Sequence, residues 1–244
     1  MSSATTINFG GFVPLSTVDW RGRSVCVVFF RGCPVRCWYC HNEAIQDGDD
    51  IKFISDIMDE ISSASLLVSA VLFSGGEATM QPDALYALAA GAKKLGLATG
   101  LHTNGVYPHV LDMLITRRLI DHIALDVKAE WRLYTQRLGS HCAEEVRCSL
   151  ALCKAARERG DLPEFEVVFT AFRGYEGEVA RIAEEAQGVS LVLQQGVKHT
   201  IPPLTTTELM AIADSLHRPV RIRTREDGEI LYDSFRNCRP CRIR

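Results

Sequence analysis

At 244 residues, 47% hydrophobic and with a formal charge of −3, the chain has enough apolar material for one large core and no basic field for nucleic acid. No run approaches the ~18 apolar residues that a membrane span needs, and Met1-Ser2-Ser3-Ala4-Thr5-Thr6 lacks the basic-then-apolar order of an export signal. Nine cysteines, an odd number, point to a reducing compartment where thiols bind metals or do redox work, so a cytoplasmic protein is expected.

Residues 1 to about 23 read as an irregular lead-in, with Gly10-Gly11 and a turn-rich Asp19-Trp20-Arg21-Gly22-Arg23. Residues 24–30 are continuous, β-branched and aromatic, which predicts a strand buried on both faces of a parallel sheet, with Cys26 as core. Residues 52–63 carry Phe53, Ile54, Ile57, Met58 and Ile61 at helical spacing. A second strand over 69–73 ends in Ser74-Gly75-Gly76-Glu77, and a helix over 82–95 is closed by Gly96. A third strand over 97–101 leads into His102-Thr103-Asn104-Gly105, and a fourth over 120–127 carries Asp126 and precedes Lys128. Strands five and six fall at 165–169 and 191–193, separated from their neighbours by helices near 143–160, 175–187 and 206–216. Residues 220–224 offer one more strand.

Strands alternating with helices require parallel pairing and right-handed crossovers, so the expected fold is α/β, an incomplete TIM-like (β/α)6 barrel. A single domain over 1–244 is expected, with a C-terminal extension from about 218 to 244. In such barrels the reactive groups gather where strands end. Here the strand ends carry Cys33, Cys37 and Cys40, then Gly75-Gly76-Glu77, then Thr103-Asn104, then Asp126 and Lys128.

The first of these clusters has the spacing C-x3-C-x2-C within Phe29-Phe30-Arg31-Gly32-Cys33-Pro34-Val35-Arg36-Cys37-Trp38-Tyr39-Cys40-His41-Asn42. Three thiolates can hold a 4Fe-4S cube and leave one iron open, whereas a structural zinc wants four ligands. With His41 the same thiols could form a Cys3His zinc knot in a non-catalytic or electron-transfer protein, and a disulfide-bonded loop is a third option.

The cysteine spacing, with aromatic Tyr39 before the last thiol, resembles the cluster motif of the radical S-adenosylmethionine (SAM) superfamily. The run from Thr17-Val18-Asp19-Trp20-Arg21-Gly22 to Cys40-His41-Asn42 is similar to the activating enzymes of glycyl-radical enzymes, most of all to anaerobic ribonucleoside-triphosphate reductase activating proteins. The resemblance is strong over about residues 7 to 130 and thin beyond.

That resemblance implies a radical SAM barrel in which Cys33, Cys37 and Cys40 hold the cluster that splits SAM. Gly75, Gly76 and Glu77 would meet the methionine amino group, and Tyr39 belongs to the same cofactor region. Thr103, Asn104, Asp126 and Lys128 would line the SAM ribose and carboxylate. His199, with Gln194 and Gln195 nearby, would lie at the adenosine end. The implied partners are a glycyl-radical enzyme, anaerobic ribonucleotide reductase first among them, and a low-potential electron donor such as ferredoxin, flavodoxin or a thioredoxin-like protein. An enzyme of the same superfamily acting on a small molecule or peptide would share every cofactor residue.

The chain departs from the family at Arg21, where proline is usual, at Ala78, again for proline, and at His102, where some relatives carry aspartate. Asp19 is expected to cap a turn or, by the resemblance, to hold a substrate backbone. Cys142, Cys148 and Cys153 read as core or incidental thiols. Cys238-Arg239-Pro240-Cys241 is a compact pair suited to disulfide exchange or electron relay, to half a metal site, or to no role.

Overall fold

The computed structural model describes residues 5–234, so the Cys238 and Cys241 pair lies outside the described residues. Two compact units emerge from the packing. One comprises the chain up to Leu125 together with Trp131–Phe165, the other Asp126–Glu130 together with the chain from Glu166 onward.

In the first unit β1 (Thr6–Ser16) pairs antiparallel with both β2 (Val25–Phe30) and β3 (Ile51–Phe53). From β2 the pairing turns parallel, running to β4 (Ala70–Gly75), β5 (Ala98–Thr103) and β6 (His122–Asp126). The linking helices are α1 (Ile54–Ala64), α2 (Pro82–Lys94) and α3 (Pro108–Thr116), and α4 (Tyr134–Leu138) with α5 (Ala143–Arg159) follows β6. The second unit holds β7 (Glu164–Ala171, entered from the first unit), α6 (Glu176–Glu185), β8 (Ser190–Gln195), α7 (Thr206–Asp214), β9 (Val220–Thr224) and β10 (Gly228–Tyr232). Strands β7, β8 and β9 are parallel, and β10 returns antiparallel against β9.

The six strands expected from the apolar runs are all present, and residues 220–224 do form a further one. Local chemistry explains the element ends. Pro82 and Pro108 open α2 and α3 at the position where a missing N–H costs nothing, and Gly96, with φ of +76°, follows α2 in a conformation that other residues resist. Thr205 and Glu208 close a reciprocal capping box on α7.

Three expectations need correction. The lead-in is irregular only in part, because Thr6–Ser16 is a full strand while residues 17–23 are bends and turns as expected. Gly10 looks like a turn signal, yet a Cβ there would meet the Phe29 carbonyl oxygen at 3.0 Å and Ile45 Cδ1 at 2.9 Å. The glycine therefore serves close approach at a register shift between Phe9 and Gly11, as bulges in strands do. The helix expected from residue 52 starts only at Ile54, since Ile51–Phe53 is spent on an edge strand against β1. Helix α3 and strand β10 were not anticipated; the first is short and opens on Pro108, the second lies past the last periodic run.

Trp20 shows how this lead-in joins the core. It packs with Val25, Val27, Ala70 and Leu72, and Gly100 makes room for it: a Cβ on Gly100 would sit 2.9 Å from the indole ring. Its face stacks on His122 at 4.7 Å between centroids, and its indole N–H donates to Glu164 at 2.8 Å. A buried tryptophan usually finds an acceptor for that N–H, which here comes from 144 residues along the chain.

Candidate functional site

Because β2, β4 and β5 are parallel and adjacent, their C-terminal ends lie along one edge of the first unit. The loop after β2 holds the three cysteines. Its backbone is fastened at Gly32, whose N–H donates to the Ile45 carbonyl at 2.8 Å, and at Cys33, whose N–H donates to Gln46 at 3.2 Å. Arg31 donates through Nε to the Phe9 carbonyl and through Nη1 to those of Ala44 and Asp47, while Gln81 ties the Arg31 and Asn8 carbonyls together. Val35 and Tyr39 are the loop's buried anchors, and the ring of Tyr39 meets Trp38 edge to face.

Cys33, Cys37 and Cys40 are half-buried. Two of their sulfurs accept N–H bonds: Cys40 Sγ from the Asn42 backbone at 3.3 Å, and Cys33 Sγ from Asn104 Nδ2 at 3.7 Å. Partly exposed sulfurs offered N–H donors fit a thiolate-held iron–sulfur cluster. Among the described residues no three His, Cys, Asp or Glu side chains are assembled into a metal-binding set, so the fit rests on donor chemistry and not on a preformed cage. His41 is exposed.

The turn after β4 presses directly against this loop. Gly75, at φ of +118°, and Gly76 bring their backbone to the cysteine loop: the Gly76 N–H donates to Phe30 O and the Glu77 N–H to Gly32 O, both at 2.8 Å. A Cβ on Gly76 would lie 2.1 Å from the Gly32 oxygen. Asn42 adds a bond from its side-chain amide to the Gly75 carbonyl at 3.1 Å.

Glu77 turns its carboxylate inward and is 2% exposed. One oxygen accepts from the Thr79 N–H and hydroxyl and from the Thr103 hydroxyl, and the other from the Asn104 N–H. Burial pushes this carboxyl above its ordinary range, while the four hydrogen bonds pull it down. Thr103 and Asn104, at the end of β5, are buried as well, and Asn104 Oδ1 accepts from the Val106 N–H at 3.1 Å.

Five of the expected positions are thus gathered with the cysteines: Tyr39 within their loop, Gly75 and Gly76 against it, and Glu77 and Asn104 through shared hydrogen bonds. Thr103 reaches them through Glu77. The contributions of Asn42, Gln81 and Arg31 were not anticipated. The adjacency of Asn42 to the last cysteine was the one signal available, since the other two act across long sequence separations.

Asp126, Lys128 and His199 belong to the second unit. Lys128 Nζ donates to Asp126 Oδ2 at 3.1 Å, and His199 is exposed on a tight turn between Lys198 and Ile201. Gln195 spends its amide on the Leu204 carbonyl, Glu226 and the Arg225 N–H, and Gln194 accepts from Arg223. In the first unit Asp19 accepts from Ser16, and its carbonyl meets His102 Nε2 at 3.1 Å, which is the arrangement of a capped turn. Cys142 and Cys153 are buried and Cys148 is exposed; burial pushes the Cys153 thiol up to about 12 and that of Cys26 up to about 11.

The chain is 33% identical over 150 residues to a protein of Methanocaldococcus jannaschii assigned as a glycyl-radical enzyme activating enzyme, covering 59% of this chain and 62% of that one. It is 35% identical over 126 residues to the pyruvate formate-lyase 1-activating enzyme of Escherichia coli K12, covering 48% and 50%. The chain therefore spans about half to three fifths of the length of these curated relatives. Among solved structures, TYW1 with a lysine-pyruvate adduct bound superposes with a TM-score of 0.61 over 86% of this chain and 80% of that one, at 15% identity. SuiB of Streptococcus suis bound to S-adenosylmethionine gives 0.60 over 78% and 48%, also at 15% identity. With the family model for the radical SAM superfamily matching residues 27–171, from within β2 to the end of β7, the chain belongs to that superfamily and has its α/β fold, an incomplete (β/α)6 barrel.

Proposed function

We propose that the protein is a radical SAM activase that generates a glycyl radical on a partner enzyme, with anaerobic ribonucleotide reductase as the partner. The observation that carries the proposal is the close contact between the segment leading into the C-x3-C-x2-C loop and the Gly75-Gly76 turn, which packs the turn after β4 against the loop that bears the three thiols. The names of the M. jannaschii and E. coli relatives support the activase class.

In this reading Cys33, Cys37 and Cys40 hold a 4Fe-4S cluster, and three protein thiolates leave one iron for SAM. When bound together, cluster and SAM would supply radical chemistry through one-electron reductive cleavage of SAM. The chain's own task is to bind and orient. Gly75 and Gly76 offer their backbone to the methionine amino group, and Glu77 fixes that turn from behind by holding Thr79, Thr103 and Asn104. Tyr39 seats the cysteine loop. Asp126 and Lys128 suit hydroxyl and carboxylate groups respectively, and His199 is assigned to the adenosine end. A low-potential donor of the ferredoxin, flavodoxin or thioredoxin-like kind supplies the electron.

Among the described residues no helix is long and apolar enough to cross a membrane, and a cytoplasmic location is part of the proposal on the strength of the nine cysteines in the sequence. Anaerobically reconstituted protein, reduced with SAM and mixed with an anaerobic ribonucleotide reductase, is expected to produce a glycyl-radical EPR doublet on the reductase. Formation of 5'-deoxyadenosine without any doublet would instead assign the chain to small-molecule or peptide chemistry.

A further inference from the structure

We infer that Asn104 is a positioning residue that raises the reduction potential of the cluster by donating its side-chain N–H to the Cys33 sulfur. This rests on the proposed cluster at Cys33, Cys37 and Cys40. Three observations set the geometry. The amide nitrogen lies 3.7 Å from Cys33 Sγ. The amide oxygen accepts the Val106 N–H at 3.1 Å, so a flipped amide would set its NH2 group against another donor, and the N–H end must face the sulfur. The backbone N–H of the same residue is held at 2.7 Å by Glu77, which is itself held by Thr79 and Thr103, so the donor is aimed by a buried framework and is only 6% exposed itself.

A donor so placed stabilises the added electron. Hydrogen bonds to the sulfurs are among the factors that set the potential of an iron–sulfur cluster, and a fixed N–H dipole pointing at a thiolate favours the more negative, reduced state. Asn42 plays the companion part at the other end of the motif, giving its backbone N–H to Cys40 and its amide to the Gly75 carbonyl. Each asparagine therefore links one cysteine sulfur to the Gly75–Glu77 turn. Asn104 is the one whose donor is a side chain and can be removed by substitution.

The test uses the full chain, reconstituted without oxygen, with the potential read by spectroelectrochemical titration in the absence of SAM. Asn104→Ala is expected to keep its iron and to show a three- to tenfold higher oxidised-to-reduced ratio at a fixed applied potential, about 30 to 60 mV for a one-electron couple. Asn104→Asp keeps the oxygen that Val106 needs, loses the donor and adds a negative charge, so its shift is expected in the same direction and larger. An unchanged potential in an iron-replete Asn104→Ala protein overturns the inference. So does loss of iron from both variants while the wild-type chain retains it, which would make Asn104 a residue of the scaffold alone. A wild-type chain that takes up no iron would sink the cluster reading itself, an outcome distinct from both.

Discussion

Replacing Gly76 by alanine is expected to cost the protein its iron while leaving most of the fold in place. The added Cβ would sit 2.1 Å from the Gly32 oxygen and 2.7 Å from its carbonyl carbon, far inside any tolerable contact. The obstructing atoms are backbone, so no side chain can swing aside. Both backbones are also pinned, Gly76 by its bond to Phe30 O and Gly32 by its bonds to Ile45 and Glu77. Relief must come from moving the segment that begins with Cys33. Losing an outer contact of a metal site commonly weakens it about 10–100-fold, and a comparable fall in retained iron is expected here. Gly75→Ala should act alike, because its Cβ would meet Phe30 O at 2.3 Å and its φ of +118° disfavours any side chain. Gly177→Ala is the control. A Cβ there meets nothing within 4 Å inside α6, so iron should be unchanged and stability slightly raised, by about 0.5–1 kcal/mol. Iron and sulfide content after anaerobic reconstitution, with circular dichroism for the fold, separates these cases.

The second large effect is expected from Glu77→Ala. Four donors converge on that carboxylate, two of them backbone N–H groups that cannot turn to other partners. Each buried donor left unmet costs about 1–3 kcal/mol, so a loss of about 2–5 kcal/mol is expected, some 4–20 °C in Tm for a chain of this size. Amide exchange at Thr79 and Asn104 should quicken with it, and those two amides distinguish a local loosening from general weakening. Glu77 also leaves a mark on the pH dependence. Because its folded carboxyl binds a proton more tightly than the unfolded chain does, the proton-linked part of its contribution to stability is fully present below the ordinary carboxyl pKa and is lost as pH rises through the raised value. Glu77→Gln cannot titrate and should remove that slope from the stability curve. An unaltered Tm in Glu77→Ala would contradict the role given to the carboxylate.

How far the sequence could be read follows from the range over which each interaction acts. Residues 25–30 announce a buried strand because six consecutive apolar side chains leave no polar face, and the cysteine loop announces itself by spacing alone. Helix α2 was legible at both ends through Pro82 and Gly96. Strand β1 was not, since Gly10-Gly11 carries the same letters as a turn while serving close approach to Phe29. The positions around the cysteines were legible as strand ends, and so were Asp126 and Lys128, whose mutual ion pair is seen only in the structure. What escaped was the direction of each side chain. Nothing local tells that Glu77 faces inward to Thr103, that Asn104 points its amide at Cys33, or that Trp20 finds its acceptor in Glu164. These pairs are joined by the order of parallel strands, which a periodic pattern implies only in outline.

The most direct measurement is EPR spectroscopy of the oxygen-free, reduced wild-type protein, with iron and sulfide counted on the same sample, before and after SAM is added. The account predicts the iron and sulfide of one 4Fe-4S cube per chain and a reduced-cluster signal that changes when SAM arrives. A chain without an iron–sulfur centre, or one whose signal is indifferent to SAM, would contradict it.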